Sequence, residues 1–293
     1  MPAPFVRQIF PAIASKGRRY RKIEDRYEIR ADAELKIFAI YDGHAGSQIS
    51  EDLCKTFGRK LHQLLSGIDP RDVVAIRKMI KAAFVKKDQE LWLRRPSNNS
   101  DFDPGSTAVM AIYFTKTNRL FFAHSGDSRA VLYRVSRRPL KDGTTKVTLI
   151  EEMSSSDHKP LRPDEKVRIE KAGGHVTKAS KASVERVDGI LAVSRAFGDF
   201  HLKQNNKIPY DTIRGKVSSV PDVSFRTLAV GEEYRLFMAS DGLWDEMDNA
   251  LLGKLATFPN VFNPEFGTQL IRFARGKGGD DDITIIGLTI KPQ

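Results

Sequence analysis

The chain has 293 residues, of which 40% are hydrophobic and 29% charged, as expected for a soluble globular protein of one large or two ordinary domains. Its 48 Lys and Arg against 37 Asp and Glu give a formal net charge of +11, which suggests attraction to anionic partners. A single cysteine, Cys54, excludes an intramolecular disulfide and any cysteine-based zinc site, and points to a reducing compartment.

Other compositional features narrow the location and the partners. No stretch approaches the roughly 18 consecutive apolar residues that a membrane helix needs, so we expect no membrane insertion. The basic residues are not interleaved with aromatic ones as in single-strand binders, so we expect no nucleic-acid partner. The basic first 22 residues loosely resemble a mitochondrial presequence or a nuclear signal, but their apolar pairs favour a folded first strand. We expect a cytoplasmic monomer, with a nuclear location as the alternative and a mitochondrial one less favoured.

The first half of the chain predicts two helices and then strands. Residues 47–65 carry apolar residues at helical spacing, and 70–93 repeat the pattern with Asp69 as N-cap and Pro70 at the first helical position. A polar, turn-rich loop is predicted over 95–106. Apolar runs then predict strands at 107–114, 120–124, 130–135 and 146–150.

The second half combines a long irregular segment with further regular elements. Pro163 opens a short helix that ends at Gly173-Gly174. Residues 174–218 are predicted to be mostly irregular, and loops this long are usually functional or disordered. Beyond them the pattern predicts strand structure from Val223 towards Asp241, helices at about 245–257 and 264–275, and a last strand at 283–290.

Acidic residues recur where the apolar runs end. Asp42 follows one strand and is followed by Gly43 and His44, and the same construction reappears at Asp241-Gly242. Asp127 follows the strand at 120–124, and an aspartate cluster at 280–282 precedes the last strand. If these strands share a sandwich, their acidic tips converge, and converging carboxylates repel one another unless a cation lies between them. The pattern therefore predicts a hard-metal site made of oxygen ligands.

Eight motifs follow one another along nearly the whole chain. They are 23–26 (IEDR), 38–47 (FAIYDGHAGS), 105–109 (GSTAV), 125–131 (SGDSRAV), 157–160 (DHKP), 191–200 (LAVSRAFGDF), 239–245 (ASDGLWD) and 281–284 (DDIT). Together, and in this order, they resemble the type 2C metal-dependent protein Ser/Thr phosphatases, the PPM family. The resemblance implies an α+β fold in which two packed antiparallel β-sheets are flanked by helices on both sides. It also implies a single phosphatase catalytic domain over 1–293, with a flap subdomain at about 160–218.

The resemblance further implies the activity. The implied activity is that of a signalling protein serine/threonine phosphatase, which would hydrolyse phosphoserine and phosphothreonine in phosphoprotein substrates by direct attack of a metal-bridging water or hydroxide. Two Mg²⁺ or Mn²⁺ ions, with a third bound weakly, are the implied cofactors, and such ions prefer carboxylate, carbonyl and water ligands. The positions that match the family's metal ligands are Glu24, Asp25, Asp42 as the bridging residue, the Gly43 carbonyl, Asp241 and Asp281.

Other residues match the family's remaining functional positions. His44 matches its proposed general acid, since an imidazole near neutrality can protonate a serine alkoxide; a histidine bonded only to backbone is the alternative. Asp127 and Asp245, together with Asp241, match the third metal site, and Asp199 matches another candidate ligand of that site. For Asp127, Asp199 and Asp245 a purely structural role is the alternative.

The chain departs from the family pattern in two places. Asp282 stands where asparagine is usual, and the extra carboxylate either tightens metal binding or faces solvent. The family's phosphate-binding arginine lies four residues before the metal glutamate, where this chain has Tyr20. One residue accommodated as a bulge would bring Arg19 into that place, because a bulge reverses the alternation of side chains. We therefore assign phosphate binding to Arg19, with Arg18 and then Arg21 as alternatives.

Three readings of function compete. An active phosphatase is favoured over an inactive or catalytically weak family member that acts as a phosphoprotein-binding scaffold, because the chain keeps the family's ligand carboxylates. A basic nucleic-acid-binding protein or nuclease is disfavoured by the ordered motifs.

The segment from Lys159 to Lys216 has 13 basic and 7 acidic residues, so it favours acidic substrates or is a solvated basic surface.

Overall fold

The computed structural model describes residues 5–18, 22–95, 103–177, 184–204, 210–257 and 265–293. Within these ranges the chain forms two large antiparallel sheets with helices against their outer faces. The strands are β1 (Phe5–Ser15), β2 (Arg26–Ala31), β3 (Leu35–Tyr41), β4 (Gly43–His44), β5 (Gly105–Ser106), β6 (Ala108–Phe114), β7 (Arg119–Ser125), β8 (Arg129–Pro139), β9 (Thr145–Ser154), β10 (Val176–Thr177), β11 (Arg186–Val187), β12 (Phe197–Gly198), β13 (Asp222–Thr227), β14 (Tyr234–Ala239) and β15 (Ile283–Lys291). The α-helices are α1 (Gln48–Ser66), α2 (Val73–Arg94), α3 (Pro163–Lys171), α4 (Asp241–Trp244), α5 (Asn249–Leu255) and α6 (Phe266–Lys277).

The two sheets have the strand orders β1-β15-β14-β8-β9 and β13-β7-β6-β3-β2. The register of the second sheet pairs the end of β3 with the start of β2, Tyr41 opposite Arg26. In the first sheet Ala239, the end of β14, lies opposite Ile285 near the start of β15. A short third sheet, β12-β5-β4, lies beyond the end of β3. The strand ends that carry the predicted acidic residues are therefore collected at one edge of the sandwich.

Alternation along the strands divides the interior into layers. In β3, Ile37, Ala39 and Tyr41 face the helices α1 and α2, while Phe38 and Ile40 belong to the core between the sheets. This follows from the two-residue period of a strand, which sends neighbouring side chains to opposite faces. The outer face of the first sheet packs against α4, α5 and α6. The predicted α+β sandwich with helices on both sides is confirmed.

Two helix starts differ from the sequence prediction. Asp72, not Asp69, caps α2 by accepting the N–H of Ala75 at 2.8 Å, and Asp69 instead accepts the N–H of Arg71 in the preceding turn. The helix predicted at about 245–257 begins later, at Asn249, because Asp248 caps α5 by accepting the N–H of Leu251. In both cases an aspartate directly before the helix supplies the N-cap oxygen.

The predicted flap segment is built on a small core of its own. It contains α3 and the two-stranded sheet of β10 and β11. Its buried apolar residues are Ile169, Val187, Val193, Ala196, Leu202 and Val217. The rest of its described residues are mostly irregular, as predicted from the sequence. None of the helices in the described ranges is both long enough and apolar enough to cross a membrane.

Candidate metal centre

Three of the predicted acidic residues meet at the collected strand ends. Carboxylate oxygens of Asp42, Asp127 and Asp241 lie within 4.8 Å of one another. Asp42 follows β3, Asp127 lies in the connection between β7 and β8, and Asp241 is the first residue of α4. A hydrogen bond of 2.8 Å from the N–H of Thr107 to the carbonyl of Asp42 fixes the backbone at the end of β3. The convergence expected from the sequence is thus present.

The pKa values in this cluster show the repulsion that such a convergence produces. Burial, followed by the charges of Asp241, Asp25 and Asp127, raises the pKa of Asp42 well above its ordinary value. Burial and the charges of Asp127 and Asp245 raise the pKa of Asp241 in the same way. A cation between the carboxylates removes this cost, because it favours their charged forms.

Glu24 and Asp25 stand beside this cluster, immediately before β2. Burial raises the pKa of Asp25 to about 7, although the Ser240 hydroxyl donates to its Oδ2 at 2.7 Å. Glu24 Oε2 and Asp25 Oδ1 are buried and accept no hydrogen bond from the described residues. Orphaned buried carboxylate oxygens are costly, so their presence here fits ligands that await a cation.

Gly43 allows two backbones to approach closely at this point. A Cβ built on Gly43 would lie 2.6 Å from the carbonyl oxygen of Glu24 and 2.8 Å from Ser50 Oγ. Only glycine avoids this clash, and it brings the 24–25 segment against the end of β3. The predicted carbonyl ligand, Gly43, is therefore beside Glu24.

His44 and Asp199 form a direct pair. The imidazole Nε2 lies 2.9 Å from both carboxylate oxygens of Asp199, which is buried and has a left-handed backbone with φ +49°. Burial alone would lower the pKa of His44, but the charge of Asp199 raises it. Gly105 makes the pair possible, since a Cβ there would lie 2.1 Å from Nε2 and 2.2 Å from Asp199 Oδ2. Asp199, predicted as a candidate metal ligand, is thus placed against the histidine.

Asp127 is bound by a lysine that the sequence reasoning did not single out. Lys159 Nζ contacts Asp127 Oδ2 at 2.5 Å. Although burial opposes it, the charge of Asp127 raises the pKa of Lys159 above its ordinary range. The same two charges act on Asp245. Burial and the charge of Asp127 raise the pKa of Asp245, whereas the charge of Lys159 lowers it. The only sequence signal for this ammonium group is its place in the DHKP motif.

Asp282 does not face solvent, which was one of the two expectations for this position. Its side chain is buried and accepts the N–H groups of Gly17 and Glu24, each at 2.6 Å. The solvent-facing expectation is therefore wrong, whereas tighter metal binding through the extra carboxylate stays a prediction. The predicted ligand Asp281 is half-buried and faces an open cleft.

That cleft contains the one candidate arginine that the structure describes. It has a volume of about 420 Å³, and its lining includes Arg18, Asp245 and Asp281. The preferred phosphate-binding residue, Arg19, and the third choice, Arg21, lie outside the described residues. Arg18 therefore lies beside the metal-ligand candidates, and the choice between it and Arg19 stays a prediction.

A second group of potential ligands lies elsewhere and is better explained by ion pairing. Ligand atoms of His124, His158 and Asp222 are within 4.8 Å of one another. Asp222, however, already accepts hydrogen bonds from Arg195 at 2.9 Å and Arg162 at 3.1 Å. Two guanidinium groups on the single carboxylate of the group disfavour a divalent cation there. We therefore place the candidate metal centre at Asp42, Asp127 and Asp241.

Comparisons with known proteins indicate the family of this chain. The family model described as Protein phosphatase 2C matches residues 20–262. Probable protein phosphatase 2C 32 of Oryza sativa subsp. japonica is 30% identical over 281 residues, covering 92% of this chain and 63% of the relative. Probable protein phosphatase 2C 55 of the same organism is 36% identical over 239 residues, covering 80% of this chain and 53% of the relative. The chain thus spans between about half and two thirds of the lengths of these relatives.

Solved structures extend the likeness to the fold. A phosphatase from a pathogenic strain of Toxoplasma gondii aligns with a TM-score of 0.74 and 25% sequence identity, covering 96% of this chain and 92% of that one. A Caenorhabditis elegans sex-determining protein aligns with the same TM-score, 0.74, at 20% identity, covering 100% of this chain and 66% of that one. The second match, at this low identity, bears on the fold alone.

Proposed function

This chain belongs to the protein phosphatase 2C family, and we propose that it is an active, metal-dependent phosphatase of phosphoserine and phosphothreonine in proteins. The observation that carries the proposal is the acidic centre. Three carboxylates converge within 4.8 Å, and beside them buried oxygens of Glu24 and Asp25 lack donors among the described residues. A scaffold that only bound phosphoproteins would not need to bear this electrostatic cost.

The residues that would hold two Mg²⁺ or Mn²⁺ ions are Glu24, Asp25, Asp42, the Gly43 carbonyl, Asp241 and Asp281. Hard oxygen ligands of this kind suit both metals. When bound, the ions would activate a water molecule and neutralise the phosphoryl oxygens. Asp42 is the best candidate for a shared ligand, because the charges of Asp241, Asp25, Asp127 and Asp281 all act on its carboxylate.

His44 is the proposed proton donor to the leaving serine or threonine oxygen. Asp199 accepts its Nε2–H, which leaves Nδ1 as the other nitrogen of the ring and favours the protonated form. Orientation of a histidine by a buried carboxylate is a common support for proton transfer. The phosphate-binding arginine is proposed to be Arg19, with Arg18 as the alternative because it lines the adjoining cleft.

Lys159 bears on the proposed third metal site. Its ammonium group lies on Asp127, one of the carboxylates that matches that site. Asp127 is therefore already partly neutralised by the chain itself, and a third ion would have to share or displace this contact. This is consistent with the weak third site that the family pattern implies.

The remaining proposals concern substrates and setting. The surplus of basic residues in the segment from Lys159 to Lys216 favours acidic or multiply phosphorylated proteins as substrates. A cytoplasmic monomer, with a nuclear location as the alternative, remains our proposal. The second candidate function is a phosphoprotein-binding scaffold without activity. It would require that metal bound by these ligands does not support hydrolysis.

The decisive test is metal-dependent hydrolysis of a phosphoserine peptide. Chelation should abolish activity, and Mn²⁺ or Mg²⁺ should restore it. Asp42→Ala and Asp241→Ala should each lower kcat at least about a hundredfold, because each removes a group that helps to hold the metal pair. Asp142→Ala, in the exposed turn between β8 and β9, is the matched control and should behave as wild type. Near-normal turnover in either site variant would reject the two-metal proposal, and an inactive wild type would favour the scaffold.

A further inference from the structure

One buried carboxylate, Asp282, binds the backbone at both Gly17 and Glu24. Asp282 Oδ1 accepts the N–H of Gly17 and Oδ2 accepts the N–H of Glu24, both at 2.6 Å. Both residues lie between β1 and β2 in the chain, 265 and 258 positions from Asp282 in sequence. Both distances are short for hydrogen bonds from backbone N–H groups.

Other contacts hold the same junction together. The N–H of Arg18 donates to the carbonyl of Asp280 at 2.9 Å. A Cβ built on Gly17 would lie 2.3 Å from that same carbonyl oxygen, so only glycine permits this approach. From the other side, Arg275 on α6 donates to the carbonyls of Gly279 at 2.9 Å and Asp281 at 2.6 Å. These contacts fix the backbone of residues 280–282, against which Gly17 and Arg18 lie.

We propose that Asp282 is a positioning residue that orients both the metal ligand Glu24 and Arg18, which follows Gly17 and lines the cleft. The inference rests on the proposed function, since it assigns Glu24 to the metal and takes Arg18, the alternative phosphate-binding arginine, as close enough to act on phosphate. Asp282 touches neither substrate nor metal in this role. It acts through two backbone groups, the N–H of Gly17 and the N–H of Glu24, and so couples metal affinity to phosphate affinity.

The carboxylate is required because the two donors lie on different oxygens. An asparagine offers one carbonyl oxygen, and its amide nitrogen would face a second N–H donor. The N–H of either Gly17 or Glu24 would then lose its acceptor inside the protein, which is unfavourable. Asp32 provides a contrast on the exposed turn before β3, where a single oxygen, Oδ1, accepts the N–H groups of both Glu34 and Leu35. An amide can replace that carboxylate without losing either bond.

The test compares Asp282→Asn with Asp32→Asn, which make the same change of charge. For Asp282→Asn we expect the Kd for Mn²⁺, measured by titration calorimetry, to rise about 10–100-fold, the range seen for groups that orient metal ligands. KM for a phosphoserine peptide should rise as well, at saturating Mn²⁺. Asp32→Asn should leave both quantities unchanged. Wild-type Mn²⁺ affinity and KM in Asp282→Asn would overturn the inference.

Two further results separate this inference from the proposed function. A wild-type protein that binds Mn²⁺ without hydrolysing phosphoesters, while Asp282→Asn binds it more weakly, would reject the phosphatase proposal and support the positioning role. Hydrogen exchange of the wild-type protein provides a test that needs no variant. The amides of Gly17 and Glu24 should exchange slowly, as protected buried donors, and exchange at the rate of an open loop would overturn the inference.

Discussion

At the scale of single residues, the acidic side chains of the site differ in the groups that they contact within the chain. Asp199 contacts a histidine, Asp127 contacts a lysine, and Asp282 accepts hydrogen bonds from two backbone N–H groups. Glu24 and Asp25 instead keep buried oxygens without donors among the described residues. Since buried polar atoms are normally satisfied, the unsatisfied ones mark where a cation belongs.

The His44–Asp199 pair predicts how leaving groups are handled. His44→Gln should impair hydrolysis of phosphoserine far more than hydrolysis of an aryl phosphate, because an aryl leaving group needs little protonation. General acid catalysis is worth roughly 10²–10⁴-fold, which sets the size of the difference. Steady-state kinetics on the two substrate types measures it. Equal losses on both would mean that His44 supports the site in another way.

The same pair predicts a change in the pH profile. Burial lowers the pKa of His44, whereas Asp199 raises it, and the net result is a raised pKa. A general acid must be protonated, so activity falls as pH rises through its pKa. Removing the charge in Asp199→Asn should lower that pKa and move the alkaline limb of kcat to lower pH. An unmoved limb, with wild-type metal affinity, would separate Asp199 from proton transfer.

The phosphate-binding arginine is tested by two single variants. Arg19→Ala should raise KM for phosphopeptides and leave Mn²⁺ affinity nearly unchanged, because a guanidinium binds two phosphoryl oxygens at once. Arg18→Ala is the matched comparison, since Arg18 lines the cleft beside Asp245 and Asp281. An effect confined to Arg18→Ala would reject the bulge and support a regular strand.

At the scale of elements, a buried network ties α2 to the strand that precedes Asp199. Asp88 on α2 accepts the N–H of Gly198 at 2.9 Å, Lys203 Nζ at 2.7 Å and the Tyr210 hydroxyl at 2.7 Å. The side chains of Asp88 and Lys203 are fully buried. The helix therefore holds the backbone that presents Asp199 to the histidine, although no residue of α2 is at the metal centre.

This network makes a prediction about stability. Asp88→Ala should lower the free energy of unfolding by about 3–5 kcal/mol, because it leaves the buried ammonium of Lys203 without its counter-charge. Asp72→Ala, which removes only the N-cap of the same helix, should cost about 1 kcal/mol. Urea denaturation compares the two. A loss in Asp88→Ala no larger than that of the cap variant would contradict the prediction.

A double variant separates the charge from the packing. Asp88→Leu with Lys203→Met replaces both members of the pair by apolar residues, so it should recover part of the stability lost in Asp88→Ala. No recovery would mean that the hydrogen bonds to Gly198 and Tyr210 matter more than the ion pair.

At the scale of the whole molecule, the metal centre belongs to both sheets. Asp42 follows a strand of one sheet, whereas Asp241 and Asp281 adjoin strands of the other. The core between the sheets must form before these groups meet, and their mutual repulsion then opposes folding. The metal-free protein is therefore expected to be less stable at neutral pH than the protein with bound metal.

The sign of that effect follows from linkage. The pKa of Asp25 is raised to about 7 and those of Asp42 and Asp241 well above the ordinary value, so the folded state holds protons that the unfolded state has lost. The contribution of these groups to stability is present near pH 4 and is lost as pH rises through the folded pKa. The rise in Tm caused by Mn²⁺ should consequently be larger at pH 7.5 than at pH 5, because bound metal displaces these protons.

Thermal unfolding with Mn²⁺ and with chelator measures this difference directly. Subtracting the two curves removes the general effects of pH on a chain with a net charge of +11. With chelator present, the Tm of Asp42→Asn should depend less on pH than that of the wild type, since one of the repelling charges is gone. A stabilisation by Mn²⁺ that did not grow with pH would contradict the linkage.

The sequence by itself determined most of the strands and the acidic residues at their ends. Both depend on local rules, namely the two-residue period of strands and the turn chemistry of Asp-Gly at their ends. The ordered motifs, through the family resemblance, then supplied the sandwich and the chemistry of those positions. The helices α1 and α3 and the last strand were predicted to within a few residues because their patterns are local, whereas the first strand was predicted without bounds.

Only the tertiary structure decided what each polar group meets across the chain. Asp282 finds Gly17, Asp199 finds His44 and Lys159 finds Asp127, and in each pair the partners come from different elements. Sequence periodicity does not predict such contacts. It reports which face of an element a side chain lies on, whereas the partner of that side chain depends on how sheets, helices and loops pack together. The N-cap of α2 also became clear only in the structure, where Asp72 accepts the N–H of Ala75 and Asp69 lies in the preceding turn.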